Sequence, residues 1–302
     1  MKPLISSSSN GAAQIKSSIQ NTSPRSMRLA GGVVHFPAIM GVLNVTPDSF
    51  SDGGKYRDPA KAVAHAIEMQ EAGADIIDVG GVSTKPLGAL KVGPDVEMGR
   101  VAPVLEQLGR ELRVPFSIDT RRASVARLAL DAGASIINDI TALEGDPEMA
   151  PLAARSKCAV VLMHMRGEPH NHSRFARYRN VVREVRDYLL ARARFAERAG
   201  IARSRIILDP GLGFAKNARH NLALLASLPD LAALGYPIMV GASRKRFVSS
   251  IAGAGEREVM IGSAAVDALA IAAGASLVRV HDPAAACAAV RIADEISRAA
   301  AK

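Results

Sequence analysis

The sequence predicts an α/β protein built as a (β/α)8 TIM barrel in a single domain. Short apolar β-type runs alternate with alanine-rich helical patterns from Ala38 to the C-terminus, and we count eight such units. An Ala-Gly-Ala junction between helix and strand recurs at residues 72–74, 132–134 and 273–275. Eight repeated units close most simply into a barrel, whereas an open doubly wound sheet usually contains fewer.

The predicted strands have apolar interiors on both faces, which is typical of strands that are covered on both sides. They span residues 38–44, 75–79, 115–119, 135–139, 159–164, 205–209, 237–241 and 276–281. Glycine directly after a helix adopts the left-handed conformation without a Cβ penalty, so the repeated glycine fits the predicted end of each helix.

The length of 302 residues suits one barrel of about 250 residues with an additional segment. Residues 1–26 are rich in Ser, Asn and Gln and lack the apolar core of a secretion signal. We therefore expect a disordered, dispensable tail over residues 1–26 and the barrel domain over residues 27–302. Deletion of the tail should leave activity intact.

The net charge of +9 raises the question of a polyanionic partner. Part of it lies in the tail, and much of the rest alternates with acids over residues 174–205, which favours a solvated basic helix. The chain contains no Trp and few other aromatic residues that could stack on bases. Together with the lack of a membrane-length apolar stretch, this predicts a soluble protein with neither a nucleic-acid nor a membrane partner.

Two cysteines, Cys158 and Cys287, fit neither a metal cluster nor a disulfide framework. We expect both to be buried thiols in a reducing cytoplasm.

Polar residues end most of the predicted strands. They are Asn44, Asp78, Asp119, Asn138, His164, Asp209 and the pair Arg279 and His281. The carboxyl ends of barrel strands converge on one rim, so we expect these side chains to surround a single ligand.

The acids among these residues have two interpretations. Asp119 and Asp209 could each cap the following helix or accept paired N–H groups from a heterocycle. Asn138 adds a carboxamide that both donates and accepts, and the three together suit a guanine-like or pterin-like ring edge. The loop over residues 44–54 is either an ordinary polar turn or a source of oxygen ligands for Mg²⁺.

The cationic residues point to an anion. Arg244, Lys245 and Arg246 follow the seventh strand, and loops in that part of a barrel often bind phosphate, although a surface basic cluster is the simpler alternative. The i, i+2 spacing of Arg279 and His281 places both side chains on one face of their strand. His164 is as consistent with loop packing as with ligand binding, and His170 and His172 are expected to lie in a solvated loop.

The motifs together resemble the dihydropteroate synthase family. They recur in family order over about residues 38–297 as MGVLNVTPDSFSDGG (40–54), DVGGVSTKPLGA (78–89), SIDTRR (117–122), NDI (138–140), LMHMRG (162–167), LDPGLGFAKNARHN (208–221), GASRKRF (241–247) and RVHD (279–282). The resemblance implies a TIM barrel, usually homodimeric, that joins 6-hydroxymethyl-7,8-dihydropterin diphosphate to 4-aminobenzoate with Mg²⁺.

The resemblance also implies the role of each residue. The pterin would be held by Asp119, Asn138, Asp209 and Lys245, and the diphosphate by Asn44, Arg279 and His281. The aminobenzoate pocket would involve Phe50, Asp52, Thr84, Lys85, Pro86 and Leu212. The metal would be held by Asn44 and Asp52, and the catalytic group would be Asp119, Asp209, Lys245, Arg279 and His281. We expect an SN1-like substitution in which diphosphate leaves before the amine attacks.

The second loop departs from the family pattern. Val82 stands where members usually have Glu, Lys85 where they have Arg, and Leu87 is an additional residue. Lysine cannot reproduce the paired hydrogen bonds of a guanidinium, so we expect a weakened aminobenzoate pocket and altered sulfonamide sensitivity. Two alternatives remain: a pterin-binding methyltransferase module, and a noncatalytic pterin-binding paralogue.

Overall fold

The barrel strands form as the apolar runs predict. The computed structural model describes residues 24–30, 32–46, 59–82 and 92–300. After a short hairpin of β1 Ser26–Leu29 and β2 Gly32–His35, the barrel strands are β3 Ala38–Asn44, β4 Ile76–Gly80, β5 Phe116–Asp119, β6 Ile136–Asp139, β7 Ala159–Met163, β8 Ile206–Asp209, β9 Met239–Val240 and β10 Leu277–Val280. Each overlaps its predicted range, and the predicted fold class is confirmed.

The sheet is parallel throughout and closes on itself. The strand order is β8-β7-β6-β5-β4-β3-β10-β9. A parallel bridge between Leu208 and Ile238 joins the two outer strands, and the Leu208 N–H donates to the Pro237 carbonyl at 2.9 Å. All eight carboxyl ends therefore lie at one end of the barrel.

Helices follow the strands and cover the outside of the barrel. They are α1 Pro59–Glu71, α2 Pro94–Glu111, α3 Ala123–Asp131, α4 Met149–Ser156, α5 Val181–Arg198, α6 Ala218–Ala226, α7 Leu228–Ala232, α8 Arg246–Ala252, α9 Glu256–Ala272 and α10 Pro283–Ala300, with 3-10 turns at His172–Phe175 and Arg203–Arg205. Gly73, Gly133 and Gly274 have φ angles of 98°, 103° and 99° at the repeated junctions. This is the left-handed conformation that the Ala-Gly-Ala pattern predicts.

An antiparallel hairpin that the sequence analysis did not predict precedes the barrel. It pairs β1, Ser26–Leu29, with β2, Gly32–His35. Met27, Leu29 and Val34 are buried in the same apolar cluster as Met40 and other residues of the barrel interior. The hairpin therefore closes the amino end of the barrel. Residues 1–23, most of the predicted tail, lie outside the described residues.

The barrel interior changes from apolar to polar toward the carboxyl end. Ile76, Ile136, Ile207 and Leu277 belong to the interior apolar cluster. Side chains alternate along a strand, so the residues two positions later share the same inward face. These residues are Asp78, Asn138, Asp209 and Arg279. The apolar layer is thus followed by a polar layer at the mouth.

None of the helices in the described ranges combines the length and apolar composition that a membrane span requires.

Candidate active site

Four neighbouring strands place their polar ends at one level of the barrel mouth. Asn44 is in register with Gly80, Gly80 with Asp119, and Asp119 with Asn138. Gly80 leaves space between its neighbours: a Cβ atom at this position would lie 3.6 Å from Asn44 Oδ1 and 3.9 Å from Asp119 Oδ2. The Asn44 carboxamide and the Asp119 carboxylate therefore border a common space.

Arg279 connects two acids of this mouth. Its Nε donates to Asp78 Oδ2 at 2.6 Å, and its Nη2 donates to Asp119 Oδ2 at 2.8 Å. Asp78 is fully buried and also accepts from Ser117 Oγ at 2.5 Å and from Asn138 Nδ2 at 3.0 Å. Asp78 was singled out only as a strand-end residue, and the structure shows that it anchors both Arg279 and Asn138.

The capping alternative for Asp119 is wrong. The helix that follows, α3, begins at Ala123 with Arg122 as its N-cap residue and without a side-chain cap. The Ala123 N–H donates instead to Asp146 Oδ2 at 2.8 Å. Asp119 faces Arg279, and burial raises its pKa to about 7 although the guanidinium opposes this shift. Near neutral pH this carboxyl is therefore poised between its two protonation states.

Asp209 occupies the same polar layer on the opposite side of the barrel. It is buried, and its Oδ1 accepts from the Gly211 N–H at 2.6 Å. Burial raises the pKa of Asp209, while Lys245, Lys216 and Arg279 act in the opposite direction. The carboxylate thus lies within the electrostatic reach of the cations around the mouth.

Lys245 is the cation after β9 that faces the site. Its Nζ lies 4.1 Å from the centre of the Phe214 ring. Burial, followed by the repulsion from Arg279, lowers the pKa of Lys245 to about 8. Arg244 and Arg246 are exposed, so only one of the three predicted cations turns toward the barrel mouth.

Lys216 is a buried cation that the sequence analysis did not single out. Its Nζ donates to the carbonyls of Phe214, Gly211 and His164 at 2.9, 3.0 and 3.2 Å. It also lies 3.0 Å from His164 Nδ1, and burial lowers the pKa of Lys216 to about 7. Lys216 thus ties the loop after β8 to the end of β7. No local sequence pattern indicates that Lys216 is buried, because a lysine next to the start of α6 is expected to be solvated.

The two histidines of this region are packing residues. His164 is 2% exposed, and burial lowers its pKa to about 3, which supports the loop-packing alternative. His172 is 5% exposed, and its Nδ1 accepts from the Ala215 N–H at 2.9 Å. The expectation of a solvated loop is therefore wrong for His172, because its ring packs against Phe214. The expectation of a solvated position is confirmed for His170, which is exposed.

His281 lies next to a hydroxyl from the neighbouring strand end. Its N–H donates to Ser243 Oγ at 3.2 Å, and its Nδ1 lies 3.1 Å from the same oxygen. Ser243 is buried and was not identified as a site residue from the sequence. This contact holds the ends of β9 and β10 together at the rim.

Only the first residues of the two predicted aminobenzoate loops lie within the described ranges. Phe50, Asp52, Thr84, Lys85, Pro86 and Leu87 lie outside the described residues. Leu212 is 1% exposed and belongs to the apolar core. At the start of the second loop Val82 is half-buried, and the Gly81 carbonyl accepts from Arg100 Nη1 at 2.9 Å.

The family resemblance implies Mg²⁺ at this site. Within the described ranges no group of three or more His, Cys, Asp or Glu side chains is placed to hold a metal ion. Asn44 does present a carboxamide oxygen to the space above Gly80. Mg²⁺ is commonly held by few protein oxygens together with substrate phosphates. The residues present therefore fit a metal ion that the substrate helps to bind.

Comparisons with known proteins define the class of this site. The family described as "Pterin binding enzyme" matches residues 40–281. The chain is 44% identical over 261 residues to the dihydropteroate synthase of a Synechocystis strain, covering 86% of this chain and 90% of the relative. The chain therefore belongs to the pterin-binding enzymes.

Solved structures narrow the class. The Xanthomonas albilineans dihydropteroate synthase with 4-aminobenzoic acid is similar with a TM-score of 0.84 and 42% identity, over 91% of this chain and 98% of that one. Its complex with 7,8-dihydropteroate gives a TM-score of 0.80 and 39% identity, over 90% and 98% of the two chains. Among the pterin-binding enzymes, this chain is a member of the dihydropteroate synthase family.

Proposed function

We propose that the chain joins 6-hydroxymethyl-7,8-dihydropterin diphosphate to 4-aminobenzoate, giving 7,8-dihydropteroate and diphosphate. The observation that carries this proposal is the contact of Arg279 with Asp78 and Asp119. This contact brings together, at one mouth, an acidic inner layer that contains Asp119 and Asp209 and a cationic rim formed by Arg279 and His281. Such a mouth matches the substrate, which has a heterocycle rich in N–H donors at one end and phosphates at the other.

The inner layer would hold the pterin. Asp119 and Asp209 accept from ring and amino N–H groups, Asn138 supplies a carboxamide, and Lys245 donates to a ring acceptor. Asn138 is already oriented, since its Nδ2 donates to Asp78. The carboxamide oxygen is thereby left to face the ligand, and the substrate ring is fixed without a large rearrangement.

The rim would hold the diphosphate. Arg279 and His281 share one face of β10 and its extension, and Asn44 approaches from the adjacent strand β3. Asn44, with Asp52 from the first loop, would hold Mg²⁺. When bound, Mg²⁺ supplies positive charge that stabilises the departing diphosphate.

The reaction needs charge stabilisation more than a strong base. The bond between the pterin methylene and the diphosphate oxygen breaks, and the electron pair leaves with the diphosphate. Arg279 and His281 stabilise this growing negative charge, and the Asp209 carboxylate favours the positive charge on the pterin methylene. The amine of 4-aminobenzoate then forms the new C–N bond and releases a proton. The substitution is therefore SN1-like.

The aminobenzoate would lie at the outer side of the pterin. The Phe214 ring, whose centre lies 4.1 Å from Lys245 Nζ, would form an apolar wall there. Leu212 would support this wall from the core. Phe50, Asp52, Thr84, Lys85 and Pro86 would cover the remaining sides and exclude water that could capture the cation.

The enzyme would work as a cytoplasmic homodimer. Helices α9 and α10 expose large apolar side chains at Ile261, Leu269, Ile292 and Ile296. Apolar side chains grouped on one face are typical of subunit interfaces. Light scattering on wild type and Leu269→Lys would test this assignment, with a dimer for the first and a monomer for the second. Two identical dimers would contradict it.

A diphosphate-release assay tests the activity. Release should depend strictly on 4-aminobenzoate. Tight binding of the pterin substrate without release would indicate a noncatalytic paralogue. Methyl transfer from methyltetrahydrofolate to a corrinoid protein would indicate the methyltransferase module.

A further inference from the structure

A cavity of about 210 Å³ lies outside the barrel, where helices α9 and α10 meet the segment that follows β9. Much of its wall is apolar and includes Val259, Val280 and Ala285. Ser243 and Arg244 also line it. The cavity thus lies behind the rim and is separate from the barrel mouth.

Asp267 is the unusual residue of this wall. It is 1% exposed and lies on the inward face of α9 with Ser263, Ala270 and Ile271. Among the atoms of the described residues, none forms a hydrogen bond with Asp267 Oδ1. Burial alone raises the pKa of Asp267 to about 7. A buried carboxyl group without a partner is costly, so its presence calls for a ligand or a compensating group.

Neighbouring polar groups of the same wall are occupied within the fold. Ser263 Oγ donates to the Val259 carbonyl at 2.7 Å and accepts from the Arg244 N–H at 3.2 Å. Asp282 Oδ1 accepts from the Ala285 N–H at 3.2 Å near the start of α10. These contacts explain Ser263 and Asp282 as structural residues, and they leave Asp267 unexplained.

The charge and size of the cavity define the class of ligand. The wall contains three acids, Glu256, Asp267 and Asp282, against one cation, Arg244. An anion is therefore disfavoured, and among the described residues no group of three or more His, Cys, Asp or Glu side chains is placed to hold a metal ion. A dry cavity of about 150 Å³ can hold one benzene molecule, so this cavity has room for a single ring with a short cationic group.

We propose that this cavity is a second binding site, for a small organic cation whose ammonium or amidinium group pairs with Asp267 while its apolar body packs against Val259, Val280 and Ala285. An amidinium donates charge-assisted hydrogen bonds to a carboxylate, which are stronger than those of a neutral amide. None of the residues assigned to the substrates lines this cavity, so the proposal stands or falls separately from the proposed activity.

Calorimetry on the full-length protein tests the site with benzamidine as the probe and benzamide as its neutral analogue of the same shape. We expect benzamidine to bind at least tenfold more tightly than benzamide. Asp267→Asn should reduce benzamidine binding to the benzamide level and leave diphosphate release unchanged. Equal binding of the two probes to the wild type, or full benzamidine affinity in Asp267→Asn, would overturn the proposal.

Two controls locate the probe. Ala285→Phe places a ring in the cavity and retains Asp267, so it should also abolish benzamidine binding. Saturating 4-aminobenzoate should leave benzamidine affinity unchanged, whereas displacement would place the probe at the barrel mouth and contradict the proposal. If Asp267→Asn does not fold, Ala285→Phe gives an independent answer.

Discussion

Arg279 Nη2 lies 2.8 Å from Asp119 Oδ2 and so joins β10 to β5, two strands that are separated by β3 and β4 in the barrel wall. The same guanidinium reaches Asp78 through Nε. One side chain therefore connects the residues assigned to the pterin with those assigned to the diphosphate. Loss of Arg279 should affect both stability and catalysis.

Arg279→Met should destabilise the protein by about 3 kcal/mol, because it leaves the buried Asp78 carboxylate without its cation. It should also lower kcat by about 100-fold, which is typical for loss of one group that stabilises transition-state charge. Arg279→Lys should recover much of the stability and little of the activity, since an ammonium cannot contact both acids as a fork. Denaturant unfolding and diphosphate release measure the two effects. A lysine variant with wild-type kcat would contradict this role.

The pH dependence of kcat/KM should be bell-shaped. Burial raises the pKa of Asp119 to about 7, so its ionised form, which accepts N–H groups, accumulates as the pH rises. Burial lowers the pKa of Lys245 to about 8, so its charged form is lost above that value. Asp119→Asn should remove the acid limb, and Lys245→Arg should move the alkaline limb upward. Dividing the kcat/KM of each variant by the wild-type value at the same pH cancels the titration of the substrate diphosphate. Variants whose pH profiles keep both limbs unchanged would exclude these assignments.

The raised pKa of Asp119 also makes the free energy of unfolding depend on pH. The pKa of Asp119 is higher in the folded protein than its ordinary value. The contribution of Asp119 to stability is therefore fully present at acidic pH, below the pKa of this group in the unfolded chain. It is lost as the pH rises through about 7. The free energy of unfolding should decline less between pH 5 and 8 in Asp119→Asn than in wild type. Denaturant titrations at each pH provide the measurement, and parallel curves would argue against it.

Lys216 should be a positioning residue for the loop after β8. Lys216→Met leaves two buried carbonyls, those of His164 and Gly211, without their donor, at a cost of about 1–3 kcal/mol each when uncompensated. We expect a lower Tm together with a higher KM for the pterin substrate, because Lys216 holds the carbonyls of Phe214 and of Gly211, and the Gly211 N–H donates to Asp209 Oδ1. Lys216→Arg should retain part of both properties. A Lys216→Met variant with reduced Tm and unchanged KM would limit Lys216 to a purely structural role.

The hairpin should contribute to stability through its buried face. Met27→Ala should cost about 2–5 kcal/mol, the usual range for truncating a fully buried side chain. Val33 lies on the same hairpin but is 45% exposed, so Val33→Ala should change stability by only about 0.5 kcal/mol. Equilibrium unfolding in urea distinguishes the two variants. Equal effects would mean that the hairpin does not seal the barrel as described.

The residues that could be located from the sequence are those on the inward faces of buried strands. Asn138 and Asp209 follow Ile136 and Ile207 by two positions, so the alternation of a strand alone places them above the apolar layer. Contacts between distant segments could not be located in this way. Asp78 and Arg279 are 201 residues apart, and the burial of Lys216 and His172 depends on two loops folding together. The hairpin was missed because its four-residue strands fall at the edge of a polar segment.

The separation of the mouth into an acidic inner layer and a cationic rim is tested most directly by equilibrium binding of two substrate fragments. These are 6-hydroxymethylpterin, followed by its fluorescence, and inorganic diphosphate with Mg²⁺. Asp209→Asn should weaken pterin binding at least tenfold and leave diphosphate binding unchanged, whereas His281→Ala should do the reverse. Equal losses of both fragments in both variants, or no loss in either, would contradict the account.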